Sequence, residues 1–291
     1  MKFLKNYWRE SILVGLLLAN VFVWGSVRAD QPSNLLHVYF LDIGQGDSIF
    51  IDSPTHKRIL LDGGPNSKVL TELGKVLPFG DRRIDVVIES HPDADHIGGL
   101  VDVLEQYEVG VFMEPGVESP NKIDNIIHEL IGEKNISDVL ARRGMTVDLG
   151  DGVRLEILFP NQDVSNWETN DASVVAKLIY GDESFLLTGD STKKAEYILL
   201  GLDKTILKSN VLKAGHHGSH TSSSFPYVEA VAPEYAVISV GKDNTYGHPH
   251  KDVLDIFNKL NIKIVSTESA GGLAGLGTIE FETDGETIEI K

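Results

Sequence analysis

The chain has 291 residues, of which 42% are hydrophobic, so it contains enough apolar material for one large domain or two small ones. Asp and Glu outnumber Lys and Arg by 43 to 26, for a formal net charge of -17. The overall field therefore does not favour non-specific binding to nucleic acid or to anionic lipid. The sequence contains no cysteine, which excludes disulfides, thiolate catalysis and sulfur metal ligands.

The N-terminal segment differs in composition from the rest of the chain. An apolar run from Ile12 to Trp24 is followed by Val27, Arg28 and Ala29, a pattern that resembles a signal-peptidase site. Basic residues precede this run: Lys2, Lys5 and Arg9. Because the run is shorter than the ~20 residues of a typical spanning helix, we predict that residues 1–34 are a signal peptide, or an N-terminal membrane anchor that tethers the chain through residues 10–27. The protein is then exported, extracytoplasmic or membrane-anchored; the alternative is a buried hydrophobic helix of the main domain.

Apolar runs bounded by turn residues predict a strand-rich first half. In chain order, the predicted elements are strands 36–40, 48–51 and 59–61, helix 69–76, strand 84–88, helix 96–107, strand 109–114 and a helical segment 123–143.

The second half repeats this alternation of strands and helices. We predict strands 145–149, 154–159, 173–180, 184–187, 210–214, 235–240 and 264–266, helix 251–260 and a closing hairpin over 277–290. Since no internal repeat or linker interrupts this pattern, residues 35–291 are predicted to form one α/β domain.

Four metal-binding side chains follow the predicted strand 84–88 directly: His91, Asp93, Asp95 and His96. Pro92 cannot continue a strand but suits the first turn of a helix, so the cluster lies where a strand ends and a helix begins. The alternative is a capped helix start with favourable acidic charge and a surface histidine. Packing does not require four such groups so close together, and we interpret them as a metal site.

Three further predicted strands also end in carboxylates or histidines. Asp190 follows strand 184–187, a run of histidines follows strand 210–214, and residues 244–250 follow strand 235–240. Asp62, at the end of strand 59–61, could support a ligand or could be a turn residue. An α/β scaffold builds a site by placing polar groups at the ends of several strands.

Seven ordered motifs resemble the metallo-β-lactamase superfamily, and within it the branch of ComEC-type competence proteins and bacterial phosphorylcholine esterases. They are LDIGQGDS (41–48), LLDGG (60–64), SHPDADHIGG (90–99), NDASVV (170–175), LLTGD (186–190), LKAGHHGS (212–219) and NTYGHPH (244–250). The resemblance covers nearly all of the chain from Leu36 onward. It implies a four-layered αββα sandwich with two mixed sheets face to face and metals at one edge.

The resemblance also implies a ligand set. His91 and Asp93 match ligands of a first metal, Asp95 and His96 match ligands of a second, and Asp190 matches the bridging carboxylate. His216 matches the last histidine of the second site, although the choice between His216 and His217 stays open. The implied cofactors are two divalent ions, zinc or, as the alternative, manganese.

The sequence departs from the commoner superfamily pattern at two places. Asp93 stands where most members have histidine, and Asn170 and Asp171 occupy the region of a missing upstream histidine. The first site is consequently more oxygen-rich, which makes manganese a plausible competitor and leaves single-metal occupancy open.

Other residues of the same motifs are candidates for substrate contact. For catalysis we select Asp95, which could orient the attacking water, and Tyr246 and His248. For substrate binding the candidates are Lys213, Ser219 and His217. His220 and His250 are interpreted as solvated loop histidines.

The predicted function is a metal-dependent hydrolase that acts through a metal-activated water on a phosphodiester, either nucleic acid or a small molecule. The more specific form of this prediction is a nuclease. The alternatives are a small-molecule envelope phosphodiesterase similar to the phosphorylcholine esterases, and a non-catalytic binding module that retains the fold. A lactamase is not inferred, because a shared fold does not transfer a substrate. No protein partner is identifiable.

Overall fold

Two units make up the chain that the computed structural model describes, residues 8–29 and 34–291. The first unit contains helix α1 (Trp8–Ala29). Within the two described ranges, no helix is both long enough and apolar enough to cross a membrane. The basic residues Lys2 and Lys5 lie outside these ranges, as do residues 30–33 after the predicted cleavage site, so the signal peptide or anchor stays a prediction.

The second unit is built on two mixed β-sheets. Its strands are β1 (Leu36–Phe40), β2 (Ile49–Asp52), β3 (Arg58–Leu61), β4 (Arg83–Ile88), β5 (Glu108–Glu114), β6 (Ser137–Leu140), β7 (Thr146–Gly150), β8 (Val153–Phe159), β9 (Val175–Tyr180), β10 (Glu183–Leu187), β11 (Val211–Lys213), β12 (Tyr235–Ile238), β13 (Lys263–Ser266), β14 (Ile279–Thr283) and β15 (Ile288–Ile290). Among the described residues, one sheet has the order β15-β14-β1-β2-β3-β4-β5-β6 and the other β13-β12-β11-β10-β9-β8-β7.

Each sheet combines an antiparallel part with a parallel part. Strands β3 to β6 pair in parallel in the first sheet, and β10 to β13 do so in the second. The carboxyl ends of parallel strands meet at one edge of a sheet, where loops can bring polar groups together. The predicted site residues follow β4, β10, β11 and β12, which all belong to these parallel parts.

Helices cover the outer face of each sheet. They are α2 (Lys68–Val76), α3 (Ala94–Ile97), α4 (Leu100–Gln106), α5 (Lys122–Lys134), α6 (Lys193–Asp203), α7 (Phe225–Val231) and α8 (Lys251–Lys259). Helices α2 to α5 pack on the first sheet and α6 to α8 on the second, each through an apolar cluster of its own. A third cluster, with side chains from both sheets, fills the space between the sheets. The layers are therefore helix, sheet, sheet and helix, which confirms the predicted αββα sandwich.

The predicted helical segment 123–143 was wrong in its second half. Helix α5 ends at Lys134, because the next residue, Asn135, has a left-handed φ of 53°, and residues 137–140 form the edge strand β6 beside β5. The apolar residues Val139 and Leu140 fit a helical spacing, but pairing with β5 places Val139 against the core between the sheets. Tertiary pairing therefore overrides the local pattern.

The predicted helix 96–107 is divided by Gly98 and Gly99 into α3 and α4. A Cβ atom on Gly98 would lie 2.2 Å from the carbonyl oxygen of Pro65, and one on Gly99 would lie 2.2 Å from that of Gly63. The loop after β3 thus packs directly on this backbone, and only glycine leaves room for the approach. Helices α6 and α7 were not predicted.

Candidate metal centre

The first group of candidate ligands lies between the end of β4 and helix α3. The side chains of His91 and His96 are fully buried, and their ring centroids are 4.2 Å apart. Asp93 Oδ2 lies 3.6 Å from His91 Nε2. Pro92 separates the strand from the helix, as its fixed φ and missing N–H predict.

Asp62, at the end of β3, fixes the orientation of this group. Its carboxylate accepts hydrogen bonds from Ser90 N at 2.7 Å, from Ser90 Oγ at 2.7 Å and from His96 Nδ1 at 2.8 Å. His96 Nε2 is thereby directed at Asp190 Oδ1, 3.3 Å away. A carboxylate behind one ring nitrogen is the usual support of a metal-binding histidine, so Asp62 supports a candidate ligand and is more than a turn residue.

Asp190 and His217 approach from the second sheet, at the ends of β10 and β11. His217 Nε2 lies 3.4 Å from Asp190 Oδ2 and 3.5 Å from Asp95 Oδ2. On the other side of the ring, Nδ1 is 2.8 Å from the carbonyl oxygen of Ser239, to which it can donate. His217 is 1% exposed, and its Nε2 therefore faces the carboxylates from a fixed and buried position.

His216 lies nearer the surface than His217. Its Nε2 is 3.7 Å from Asp190 Oδ2, its Nδ1 is 2.9 Å from Thr221 Oγ1, and its side chain is 24% exposed. Both histidines have positive φ, 47° for His216 and 53° for His217, so the tight turn after β11 presents both rings to the centre. The sequence did not decide between His216 and His217, and the geometry favours His217 as the ligand.

The donor atoms of this centre form overlapping groups of metal-binding size. Those of His91, His96 and Asp190 lie within 4.8 Å of one another, as do those of Asp95, His96 and His217. The buried side-chain atoms without a hydrogen-bond partner in residues 8–29 and 34–291 include four donors of this centre: His91 Nε2, His96 Nε2, Asp190 Oδ1 and His217 Nε2. Buried polar atoms are rarely left unpaired, so these residues fit divalent metal ions.

Lys213 and Asp47 form a buried ion pair beside this centre. Both side chains are fully buried, and Lys213 Nζ contacts Asp47 Oδ2, lies 3.7 Å from Asp190 Oδ1 and donates to Gly189 O at 3.0 Å. Asp47 was not predicted as a site residue, although a carboxylate two residues before the buried strand β2 was a signal for it. The predicted contact between Lys213 and substrate is corrected, because its ammonium is enclosed by these partners.

Opposite charges control the protonation of the chain's own groups here. Burial disfavours the charged form of His217, but Asp190 and Asp47 outweigh it and raise its pKa to about 9. For His96 burial is likewise outweighed, by Asp190 and Asp62, and its pKa lies well above the usual range. Burial also opposes ionisation of Asp190, yet His217 and His96 hold its pKa well below the ordinary value. In the chain alone, protonated imidazoles of His96 and His217 therefore lie next to the ionised carboxylate of Asp190.

A cleft of about 130 Å³ opens onto the centre. Seven predicted site residues line it: Asp93, Asp95, Asp190, His216, His217, Tyr246 and His248. Gln45 also lines it and was not predicted as a site residue. Tyr246 is 66% exposed and its ring lies 5.6 Å from that of His248, at an angle of 21°. Burial, with help from His217 and His216, lowers the pKa of His248 to about 4, so its imidazole is neutral at pH 7.

Other predicted residues lie away from the cleft. Ser219 is buried, and its Oγ accepts a hydrogen bond from Thr221 Oγ1 at 3.0 Å, so its contact with substrate stays a prediction. His220 and His250 contact each other, with ring centroids 4.6 Å apart. The exposed position of His220 agrees with its interpretation as a loop histidine.

The region of the missing upstream histidine forms a 3₁₀ turn, Asn170–Ala172. Asp171 pairs with Lys194 at 3.0 Å and accepts a hydrogen bond from Thr192, and it does not line the cleft. Beside this turn, burial opposes the ionisation of Asp93, but a hydrogen bond with His91, the charge of His91 and a hydrogen bond with Thr169 lower its pKa. The residues around Asp93 therefore keep it ionised.

Residues 41–123 match the family model described as the metallo-beta-lactamase superfamily. The chain belongs to the metallo-β-lactamase superfamily. Its predicted membership is thus confirmed, and the ligand motif of residues 91–96 lies inside the matched segment.

Relatives in this superfamily include bacterial competence proteins. The chain is 31% identical over 252 residues to ComE operon protein 3 of Bacillus subtilis, covering 80% of this chain and 32% of the relative. It is 34% identical over 248 residues to Competence protein ComA of Neisseria gonorrhoeae, covering 84% of this chain and 33% of the relative. The chain therefore spans about a third of the length of the curated relatives it matches.

Solved structures with the metallo-β-lactamase fold align over most of the chain. The metallo-beta-lactamase fold protein YhfI from Bacillus subtilis aligns with a TM-score of 0.55 at 13% identity, covering 86% of this chain and 99% of that one. Igni18, a metallo hydrolase from Ignicoccus hospitalis, aligns with a TM-score of 0.52 at 16% identity, covering 85% and 99%. At these identities the likeness shows the shared fold.

Proposed function

We propose that this metallo-β-lactamase-fold chain is a binuclear metal-dependent hydrolase of phosphodiester bonds. The observation that carries the proposal is the convergence of unpaired buried donor atoms from both sheets beside one cleft, which Asp190 and His217 also line. His91 and Asp93 would hold one ion, Asp95, His96 and His217 the other, and Asp190 would lie between them, with His216 as a further donor at the rim. Nitrogen and oxygen donors of this kind suit zinc or manganese.

Two divalent ions in such a site supply an activated water at neutral pH and positive charge for the attacking and leaving oxygens of a phosphodiester. The chain's own residues add orientation. Asp95 stays ionised, because His217 and His96 lower its pKa against the opposing effect of burial. It can therefore accept a hydrogen bond from the attacking water.

His248 and Tyr246 complete the mouth of the cleft. His248 is 6% exposed, and its Nδ1 has no hydrogen-bond partner within the described ranges. A neutral imidazole with a free ring nitrogen can bind a polar atom of the substrate or accept its proton. Tyr246 offers an exposed aromatic face and a hydroxyl beside it, which suits the group attached to the scissile phosphate.

Two substrate classes fit this reaction, and a different observation favours each. The similarity to proteins named for competence favours a DNA strand as substrate. The small volume of the cleft, about 130 Å³, and the formal net charge of -17 favour a small envelope phosphodiester.

The test begins with the metal content of the purified full chain and its turnover of bis(p-nitrophenyl) phosphate in Zn²⁺ or Mn²⁺. We expect about two bound ions per chain, and His91→Ala should reduce both metal content and turnover. Failure to bind either ion would contradict the proposal and favour the non-catalytic binding module.

Salt dependence then separates the two substrate classes. If a DNA strand is the substrate, cleavage of single-stranded DNA should weaken steeply between low and high salt, while turnover of the small diester should change little. If the DNA strand is not cleaved but the small diester is, the nuclease version is excluded and the envelope phosphodiesterase is retained.

We also propose that the hydrolase acts outside the cytoplasm, in the cell envelope. The order of basic residues, apolar run and small-residue site at the N-terminus supports export, and the names of the relatives are consistent with DNA uptake at the envelope. N-terminal sequencing of the protein from fractionated cells tests this. A mature start at Asp30 would indicate cleavage, an intact start in the membrane fraction would indicate a tether, and a cytosolic intact chain would contradict export.

A further inference from the structure

A second polar cluster lies beside helix α5 on the helix-covered face of the first sheet, where the side chains of His128 and Asp138 are 40% and 36% exposed. We call it the α5 cluster, and its members are Glu89, Glu114, Asp124, His128 and Asp138. The parallel register pairs Ile88 with Met113 and Phe112 with Asp138. Because side chains alternate between the two faces of a sheet and Phe112 packs in the cluster covered by the helices, Glu89, Glu114 and Asp138 share that face.

Helix α5 supplies the upper part of the cluster. Asp124 and His128 are four residues apart and therefore point to the same side of the helix. His128 Nε2 lies 3.6 Å from Glu114 Oε2 and 3.5 Å from Asp124 Oδ1, and its Nδ1 lies 3.6 Å from Asp138 Oδ2. One imidazole thus touches three carboxylates from a helix and two strands.

The buried side chain of Glu89 indicates that this cluster binds a ligand. It is 1% exposed, and its Oε2 has no hydrogen-bond partner in the part of the chain that the structure describes. The register places it beside Glu114, so this unpaired oxygen belongs to the same face as the other carboxylates. A buried carboxyl oxygen without a donor is unfavourable. Burial, Asp124 and Glu114 raise the pKa of Glu89 well above its usual range, so the chain alone holds a proton here, and a cation bound at this place would replace that proton.

The neighbouring protein groups do not supply enough positive charge. Arg142 influences Glu114, but its Nη1 donates to the carbonyl oxygens of Pro115 and Ala141. Burial raises the pKa of Glu114, His128 opposes this in part, and Asp138 and Asp124 raise it further. Four carboxyl groups therefore face one imidazole and the guanidinium of Arg142, and burial raises the pKa of Asp124 as it does that of Glu114.

We propose that the α5 cluster is a cation site, separate from the metal centre, that binds one divalent ion. Carboxylate oxygens with a single imidazole suit a hard ion such as Mn²⁺ better than a thiophilic one. Glu89 precedes His91 by two residues on the same strand end, so the ion would anchor the segment that carries the first candidate ligand. The proposal does not depend on which bond the enzyme hydrolyses.

The test is a titration of the chelator-treated full chain with Mn²⁺, with free Mn²⁺ measured by electron paramagnetic resonance. Asp124→Asn and Glu114→Gln are nearly isosteric, lie outside the metal centre and should each weaken one class of Mn²⁺ site at least ~10-fold. The matched control is Glu129→Gln, on the exposed side of α5, which should leave the titration unchanged.

Thermal unfolding gives a second readout that a simple folding defect would not mimic. In chelator, Asp124→Asn should be at least as stable as the unmodified chain, because it relieves repulsion between carboxylates. After addition of Mn²⁺ it should gain less in melting temperature than the unmodified chain and the Glu129→Gln control. Equal Mn²⁺ binding curves and equal melting shifts in all variants would overturn the proposal.

Discussion

Asp62 shows how a single residue directs the chemistry of a site without lining it. Its hydrogen bond to His96 Nδ1 leaves Nε2 free to face Asp190, and its bonds to Ser90 hold the strand end in place. The sequence left two roles open for Asp62, because its partners come from residues about 30 positions away in a different loop. A side chain that acts through distant partners has no local signature.

The two adjacent histidines should differ in their effect on metal binding. His217→Ala removes a buried imidazole whose Nε2 lies within 3.5 Å of Asp190 and Asp95, so we expect the bound metal per chain to fall substantially. His216→Ala removes a more exposed ring at 3.7 Å from Asp190, and we expect a smaller loss. Elemental analysis of both variants provides the measurement; the opposite ranking would identify His216 as the principal ligand.

Lys213 should be required for stability when the centre holds no ion. Lys213→Met leaves the buried carboxylates of Asp47 and Asp190 without their fixed cation, and such a loss costs about 3–5 kcal/mol in the free energy of unfolding. Urea unfolding in chelator measures this cost. Lys177→Met is the control, since its ammonium donates to backbone carbonyls, and a similar loss in both variants would argue against the charge-balance role.

At the scale of elements, features that depend on contiguous residues were predicted well, and pairings between residues distant in sequence were not. The apolar run of β4 and the polar residues after it are contiguous, so the strand and the ligand cluster could be read from the chain. Strand β6 could not, because its pairing with β5 and not its own spacing determines its conformation. Similarly, the ion pair of Lys213 with Asp47 joins residues on different sheets.

The break between α3 and α4 should tolerate no side chain. In Gly99→Ala the added Cβ would lie 2.2 Å from Gly63 O and 2.6 Å from Asn66 O, and such overpacking typically costs about 1–3 kcal/mol. Gly74→Ala, in the interior of α2, is the matched control, because among described residues no atom beyond its own helix lies within 4 Å of the added Cβ. It should be neutral or stabilising by up to ~1 kcal/mol.

Urea unfolding of both glycine variants measures these differences, and elemental analysis should show reduced metal content for Gly99→Ala alone. If Gly99→Ala were as stable as the unmodified chain, the close contact between the loop after β3 and the α3–α4 break would not be required for the fold.

For the whole molecule, pH should act in opposite directions on stability and on metal binding. The pKa of His217 rises from 6.5 to about 9 on folding without an ion, because Asp190 and Asp47 outweigh burial. The folded chain therefore binds an extra proton between these values, and its stability should fall as pH rises from 6.5 to 9, by at most about 1.4 kcal/mol per pH unit for one proton.

Metal binding requires neutral imidazole, so affinity for Zn²⁺ should rise over the same pH range. Urea unfolding in chelator at several pH values, with Zn²⁺ titrations beside it, measures both trends. Stability that is constant or increases between pH 6.5 and 9 in chelator would contradict the proton held by His217.

The candidate centre draws its donors from loops of both sheets, after β4 on one side and after β10 and β11 on the other. Residues 91–96 emerge early in translation, whereas Asp190 and His217 emerge only in the last part of the chain. A nascent chain that has formed only strands β1 to β6 of the first sheet therefore carries an incomplete set of donors. The centre can close only after synthesis has passed residue 217, which delays any metal-dependent activity until the two halves of the sandwich have come together.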